Sequence, residues 1–215
     1  MLAAGSVRQR GASANPVTKL TLQLDHSVGA GHPNQIKAVL LHLASTRNPE
    51  RNRVAFLLSV KAGLRAKEVA SVTWAMVTTS EGRIAEVISL HDIASKGSSG
   101  GSIPMAREVQ DALATLQAMS GSPKPSDPVF RSERSRASSA QVIVNLFSSW
   151  YAALAFDGCS SHSGRRTFIT QAARNIGRFG GSLRDVQQLA RHSSLAMTQR
   201  YIEVDTEAMR KVVEW

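Results

Sequence analysis

Residues 161–203 concentrate side chains whose types and spacing suit chemistry at a phosphodiester. His162 and Arg165 stand one helical turn apart at the head of an apolar helical pattern, so both side chains can face one cleft. His192 precedes Tyr201 by nine residues. Guanidinium groups bind phosphate oxygens through charge-assisted hydrogen bonds, and a phenol supplies an oxygen nucleophile. The segment therefore predicts a cationic site that attacks phosphate esters.

The chain contains two tyrosines, and their surroundings distinguish them as candidate nucleophiles. Tyr151 follows Trp150 in an apolar helical pattern, where an aromatic residue of the core is expected. Tyr201 lies between Arg200 and Ile202 in a polar stretch. Tyr201 is therefore the better candidate.

The overall charge favours a polyanionic partner. The 215 residues include 26 Lys and Arg against 16 Asp and Glu, which gives a formal net charge of +10. Nucleic acid is the first candidate for such a partner, although a merely basic protein has the same composition. The single cysteine, Cys159, excludes an intrachain disulfide and a multi-cysteine zinc site. No apolar run reaches membrane-spanning length and no secretory signal opens the chain, so we expect a soluble, cytoplasmic protein.

Further motifs lie upstream of residue 161 and precede the His162 and His192 motifs along the chain. The stretch GLRAKEV begins at Gly63, and Lys96 and Gly97 are followed by the short segment 103–105, IPM. The sequence HSGR then occupies residues 162–165, and RHSS occupies residues 191–194. Together these motifs resemble the catalytic domain of the tyrosine recombinase (phage integrase) family over about residues 33–205.

The resemblance implies a complete catalytic set. Its members are Arg65, Lys96, His162, Arg165, His192 and the nucleophile Tyr201. In this interpretation Tyr201 attacks a DNA phosphate and forms a 3′-phosphotyrosyl link with a free 5′-hydroxyl. Because that link conserves the bond energy, neither a metal nor another cofactor is implied.

The resemblance also assigns a role to each supporting group. Arg65, Arg165 and His192 are expected to hold the scissile phosphate. Lys96 is expected to protonate the leaving oxygen, and His162 to assist proton transfer from the tyrosine.

Each of these residues also has an alternative, purely structural interpretation. Glu68 is expected to orient or neutralise basic groups, yet Arg65 and Glu68 could form a surface pair worth a few tenths of a kcal/mol. Lys96 could be a solvated lysine on a Gly/Ser-rich turn. His162 could be a satisfied buried histidine, and His192 a plain surface residue. Their joint occurrence with Tyr201 favours the site.

Five further arginines are candidate DNA contacts: Arg131, Arg134, Arg136, Arg166 and Arg191. The first three lie in the polar segment 120–139, which a solvated loop explains equally well. Arg166 stands where the family often has histidine, and Arg191 where it usually has glycine. Gly164 stands where the family often has leucine, which predicts lost packing at that position.

The predicted fold is mainly α-helical with a small antiparallel sheet near residues 83–105, as the resemblance implies. The β-favouring residues of that region flank a Gly/Ser-rich turn. Residues 1–31 are expected to be a partly disordered N-terminal arm, and residues 32–215 the catalytic domain. Residues 205–215 form its predicted C-terminal tail helix, whose apolar face must dock elsewhere.

The predicted function is that of a site-specific DNA recombinase, or integrase, acting on double-stranded DNA at the nucleoid. Self-association into a tetrameric synapse, with exchange of the tail between protomers, is part of this prediction. Docking of the tail on its own domain is the alternative, and it explains a free monomer equally well. Alternatives are a type IB topoisomerase-like enzyme, a non-catalytic DNA-binding accessory and, from another class, a metal-dependent phosphodiesterase. The family commonly carries an N-terminal core-binding domain, so we expect either a fragment or a minimal recombinase that depends on a partner.

Overall fold

A computed structural model describes residues 33–91, 100–131 and 137–202, together with residues 210 and 213. The α-helices in these ranges are α1 (Pro33–Ala44), α2 (Pro49–Ala62), α3 (Ala66–Ser71), α4 (Arg107–Met119), α5 (Ala140–Ala153), α6 (Ser163–Asn175), α7 (Leu183–Ala190) and α8 (Leu195–Gln199). Strands β1 (Val87–Leu90) and β2 (Gly101–Pro104) pair antiparallel, with Ile88 opposite Ile103. The predicted fold class, mainly helical with a small antiparallel sheet, is confirmed.

Helix α2 lies at the centre of the core because almost every face of it is apolar. Its run from Val54 to Val60 is buried, and it packs against α1, α4 and α6. Helix α5 contributes an aromatic cluster, in which the ring centroids of Phe147 and Trp150 lie 5.0 Å apart. Tyr151 belongs to this cluster and is 1% exposed, so its prediction as a core aromatic is confirmed.

Gly63 ends α2 and turns the chain toward the candidate site. It adopts the left-handed conformation at φ 67°, and its N–H donates to the carbonyl of Ser59. The ring of Phe168 on α6 packs directly against it, since a Cβ at this position would lie 2.4 Å from a ring carbon. Both the backbone angle and the close approach therefore require glycine here.

Gly164 allows α6 to pack closely against α2. A Cβ on this residue would lie 2.5 Å from the Oγ of Ser59 and 3.0 Å from its Cβ. The expectation that glycine leaves packing incomplete here is wrong, because the two helices occupy the space that a larger side chain would fill. This contact brings Arg165, the next residue, to the end of α2.

Several predicted features lie outside the described residues. They are the N-terminal arm, the turn that carries Lys96, the loop residues Arg134 and Arg136, and most of the tail. Within the described ranges, no helix combines the length and the apolar character needed to cross a membrane.

Candidate active site

Arg165 joins three helices at the centre of the site. It lies in the first turn of α6, and it is 4% exposed. Its Nη1 donates to the carbonyl of Gly63, and its Nη2 donates to the carbonyl of Ala190. These carbonyls lie at the C-terminal ends of α2 and α7, where the helix dipole places partial negative charge. The guanidinium is therefore held by main-chain acceptors.

Glu68 is the carboxylate around which the other arginines gather. Its Oε1 accepts from Nη1 of Arg65 at 2.8 Å, and its Oε2 accepts from the backbone N–H of Arg65 at 2.7 Å. Its Oε2 also accepts from Nη2 of Arg191 at 2.7 Å. The Glu68 side chain is 0% exposed, so the interpretation of Arg65 and Glu68 as a surface pair is wrong.

The charges in this cluster determine its protonation states. Burial alone would raise the pKa of Glu68. The positive charge of Arg191, together with the hydrogen bonds and charge of Arg65, outweighs the effect of burial, so the pKa of Glu68 lies below its usual value. Burial lowers the pKa of Arg165 to about 10, and the neighbouring cations of Arg65 and Arg191 act in the same direction. At neutral pH the Glu68 carboxylate is therefore ionised and the Arg165 guanidinium is protonated.

His192 is buried beside these cations and stacks on the candidate nucleophile. It is 7% exposed, and its Nδ1 lies 2.9 Å from Oγ1 of Thr198. Its ring centroid lies 5.6 Å from that of Tyr201, with an angle of 24° between the ring planes. The interpretation of His192 as a plain surface residue is therefore wrong.

Thr198 is a site residue that the sequence analysis missed. It is 0% exposed, and it fixes the orientation of the imidazole through the hydrogen bond to Nδ1. A threonine six residues after a histidine matches no motif that we used, so only the tertiary contact identifies it.

The surroundings of His192 keep its imidazole neutral. Burial lowers its pKa to about 4, and the cations of Arg165, Arg65 and Arg191 lower it in the same direction. A neutral imidazole can donate a hydrogen bond without adding another positive charge to the cluster.

Tyr201 is anchored through its backbone. Its N–H donates to the carbonyl of Thr198 at 3.0 Å, and its carbonyl accepts from Oγ1 of Thr170 on α6 at 3.3 Å. Its side chain is half-buried against the small apolar cluster between α6 and α7. The phenol is close enough to Arg165 that its ionised form would raise the pKa of that guanidinium. The ring is thus held beside the cations.

The structure brings six of the predicted residues together: Arg65, Glu68, Arg165, Arg191, His192 and Tyr201. His162 and Arg166 are exposed at the start of α6, and the histidine makes no side-chain capping bond there. Arg131 is half-exposed, and its guanidinium lies 2.6 Å from the carboxylate of Asp127. In the part of the chain that the structure describes, no three His, Cys, Asp or Glu side chains are grouped to hold a metal ion.

Comparison with known sequences gives one family and several relatives. The sequence profile of the phage integrase family matches residues 32–208. The tyrosine recombinase XerD of Vibrio vulnificus (strain YJ016) is 29% identical over 170 residues, which cover 75% of this chain and 52% of the relative. The tyrosine recombinase XerC of Brucella suis biovar 1 (strain 1330) is 29% identical over 170 residues, covering 76% and 50%. The chain thus spans about half the length of these curated relatives.

Solved structures with the same fold include two recombinases. The crystal structure of XerA recombinase superposes with a TM-score of 0.64 and 22% identity, covering 84% of this chain and 62% of that one. The Tn1549 transposon integrase, solved in complex with transposon right end DNA, gives a TM-score of 0.67 and 18% identity, covering 90% and 67%. At 22% and 18% identity, these superpositions establish the fold alone.

The lowered pKa of His192 predicts that the folded chain loses stability as the pH falls below 6.5. An unfolded histidine titrates near its ordinary value of 6.5 and the folded one at about 4, so between these values the unfolded state binds more protons. This contribution is complete above pH 6.5, and about 2 kcal/mol of it is lost by pH 5. Urea unfolding at pH 7.5 and pH 5 measures the loss.

His192→Gln is the matched control, because the amide keeps a polar partner for Thr198 but does not titrate. The remaining titratable groups are common to both proteins and contribute equally. The decrease in the free energy of unfolding from pH 7.5 to pH 5 should therefore be about 2 kcal/mol smaller in His192→Gln than in the wild type. Equal losses in the two proteins would contradict the assigned pKa.

Proposed function

Because the chain belongs to the phage integrase family, we propose that it is the catalytic part of a site-specific DNA recombinase that acts through a 3′-phosphotyrosyl intermediate. One observation carries this proposal. The ring of Tyr201 stacks on His192 beside the buried guanidinium of Arg165, and this supports the proposal that Tyr201 is a nucleophile next to cations that bind phosphate. The named recombinases among the relatives support the same activity.

The cluster suits the binding of a phosphodiester. The Arg65 side chain is 23% exposed, so a ligand can reach it from the surface. Three guanidiniums and one carboxylate leave an excess of positive charge, which would stabilise the charge that develops on the transferring phosphate. In this proposal the arginines neutralise the developing negative charge, a role that metal ions have in other phosphoryl-transfer enzymes.

In the proposed reaction the phenol oxygen of Tyr201 attacks phosphorus, and the bond from phosphorus to the 5′-oxygen breaks. His162 assists removal of the phenol proton, and Lys96 donates a proton to the leaving 5′-oxygen. Neutral His192 donates a hydrogen bond to the phosphate together with Arg65 and Arg165. Attack by a 5′-hydroxyl on the phosphotyrosine reverses these steps and rejoins the strand.

The proposed partner is double-stranded DNA at the nucleoid. The net charge of +10 supports binding to a polyanion. The Tn1549 integrase complex, solved with DNA, supports the same class of partner.

Tyr201→Phe should abolish covalent capture of a nicked suicide DNA substrate, because the change removes only the nucleophilic oxygen. Capture is measured in EDTA as a protein–DNA adduct on a denaturing gel, and DNA affinity is measured in parallel and should be nearly unchanged. Joining of strands between two duplexes in the wild type would identify recombination, whereas relaxation without joining would identify a topoisomerase-like enzyme.

Tyr151→Phe is the control for that experiment. The Tyr151 hydroxyl is buried without a hydrogen-bond partner among the described residues, so its removal should leave both folding and adduct formation intact. An adduct formed by the Tyr201 variant but not by the Tyr151 variant would refute the assignment.

Lys96→Ala should slow cleavage of ordinary DNA far more than cleavage of a substrate with a 5′-bridging phosphorothiolate. A sulfur leaving group needs little protonation, so the general acid becomes dispensable. Single-turnover rates on the two substrates measure the difference. Equal slowing on both substrates would remove Lys96 from this role.

We further propose that the chain assembles as a tetramer on DNA and that its tail exchanges between protomers. Val213, a tail residue that the structure describes, is 80% exposed, so its side chain is available for a neighbouring protomer. Deletion of residues 206–215 should therefore impair synapsis and strand exchange more than binding to a single DNA site. Band-shift and recombination assays compare the two, and full-rate recombination by the truncated chain would exclude the exchange.

A further inference from the structure

Arg191 occupies a backbone conformation that rarely holds a side chain. It caps the C-terminus of α7 with φ 52° and ψ 47°, in the left-handed region. A side chain there brings Cβ close to the following carbonyl oxygen, so residues other than glycine are strained. Glycine would adopt this conformation without strain.

The side chain of Arg191 is buried in spite of its charge. Only 6% of it is exposed, and its Cδ lies 3.6 Å from the point where a Cβ on Gly101 would stand. The side chain thus passes β2, and its Nη2 donates a hydrogen bond to Oε2 of Glu68 at 2.7 Å. Burial lowers the pKa of Arg191, and the ionised Glu68 opposes that effect. The chain therefore tolerates a strained backbone and a desolvated cation at one residue.

We propose that Arg191 is a positioning residue, which clamps the end of α7, and with it His192, to the start of α3 that carries Arg65. The clamp is the buried carboxylate of Glu68, which receives hydrogen bonds from both arginines. This inference rests on the proposed function, since it concerns the geometry of the same phosphate site.

The clamp connects parts of the chain that are distant in sequence. Arg191 and Glu68 are 123 positions apart, and His192 follows Arg191 directly. The backbone of His192 is otherwise held within its own segment, by N–H donation to the carbonyl of Gln187 and by donation from the Gln187 side chain to its carbonyl. Without this ion pair, Arg165 would still join the end of α7 to the end of α2, through its hydrogen bonds to Ala190 and Gly63. The direct bond from α7 to Glu68 on α3 would be lost.

A kinetic double-mutant cycle tests the clamp. Arg191→Gly relaxes the backbone and should fold, so its effect on catalysis comes from the lost side chain. We expect this change to slow adduct formation at saturating DNA about tenfold, which corresponds to one charge-assisted hydrogen bond. In a Glu68→Gln background the same change should slow it less than about threefold, because the partner charge is already gone.

Arg83→Ala controls for the loss of one positive charge. Arg83 is 80% exposed at a turn outside the site, so this variant should form the adduct at the wild-type rate. No slowing by Arg191→Gly, or equal slowing in both Glu68 backgrounds, would overturn the clamp.

A second measurement needs no DNA and no Glu68 variant. NMR titration of the free chain should give a His192 pKa of about 4 in the wild type and a higher value in Arg191→Gly. The pKa should rise because the substitution removes one of the three cations near the ring. An unchanged pKa would overturn the inference. If the wild-type chain formed no adduct, the proposed function would fail, while this titration would still decide whether Arg191 acts on His192.

Discussion

The burial of positive charge beside a single carboxylate is the constraint on which this site depends. A guanidinium out of water needs acceptors fixed around it, or its desolvation is not offset. Arg165 lies near the N-terminus of α6, where the helix dipole disfavours a cation. The carbonyl groups that end α2 and α7 compensate for this. These three helices must therefore meet where they do for the arginine to be buried.

The backbone conformation at the helix ends helps to bring these helices together. Gly63 and Arg191 both cap their helices in the left-handed conformation, so the chain turns sharply after α2 and after α7. The turn after α2 leads to Arg65, and the turn after α7 leads to His192. Gly164 contributes differently, since its missing side chain lets α6 contact Ser59. The functional side chains thus depend on two caps and one close helix contact.

Local sequence patterns predicted the helix after His162, the small sheet and the identity of the core tyrosine, because each depends on periodicity or turn residues. The mainly helical fold as a whole was predicted from the family resemblance. The family resemblance predicted that Arg65 and Arg165 would share one site, and the buried bond that brings Arg165 to Gly63 spans 102 positions. The partner of His192, Thr198, could not be predicted, because it depends on how α8 packs. The role of Gly164 was predicted wrongly for the same reason: its neighbour, Ser59, is remote in sequence.

The buried cluster also limits what the site can recognise. The cations that lower the pKa of His192 repel one another, and a bound phosphate would relieve this repulsion whatever the base beside it. In the proposed complex with DNA, the affinity that this cluster contributes would therefore be independent of base sequence. Base edges must be read by exposed groups, and the structure describes Arg166 as exposed, whereas Arg131 is already paired with Asp127. Selectivity for a DNA site in the proposed recombinase would then reside outside the buried cluster, in surfaces that can change without disturbing the proposed chemistry.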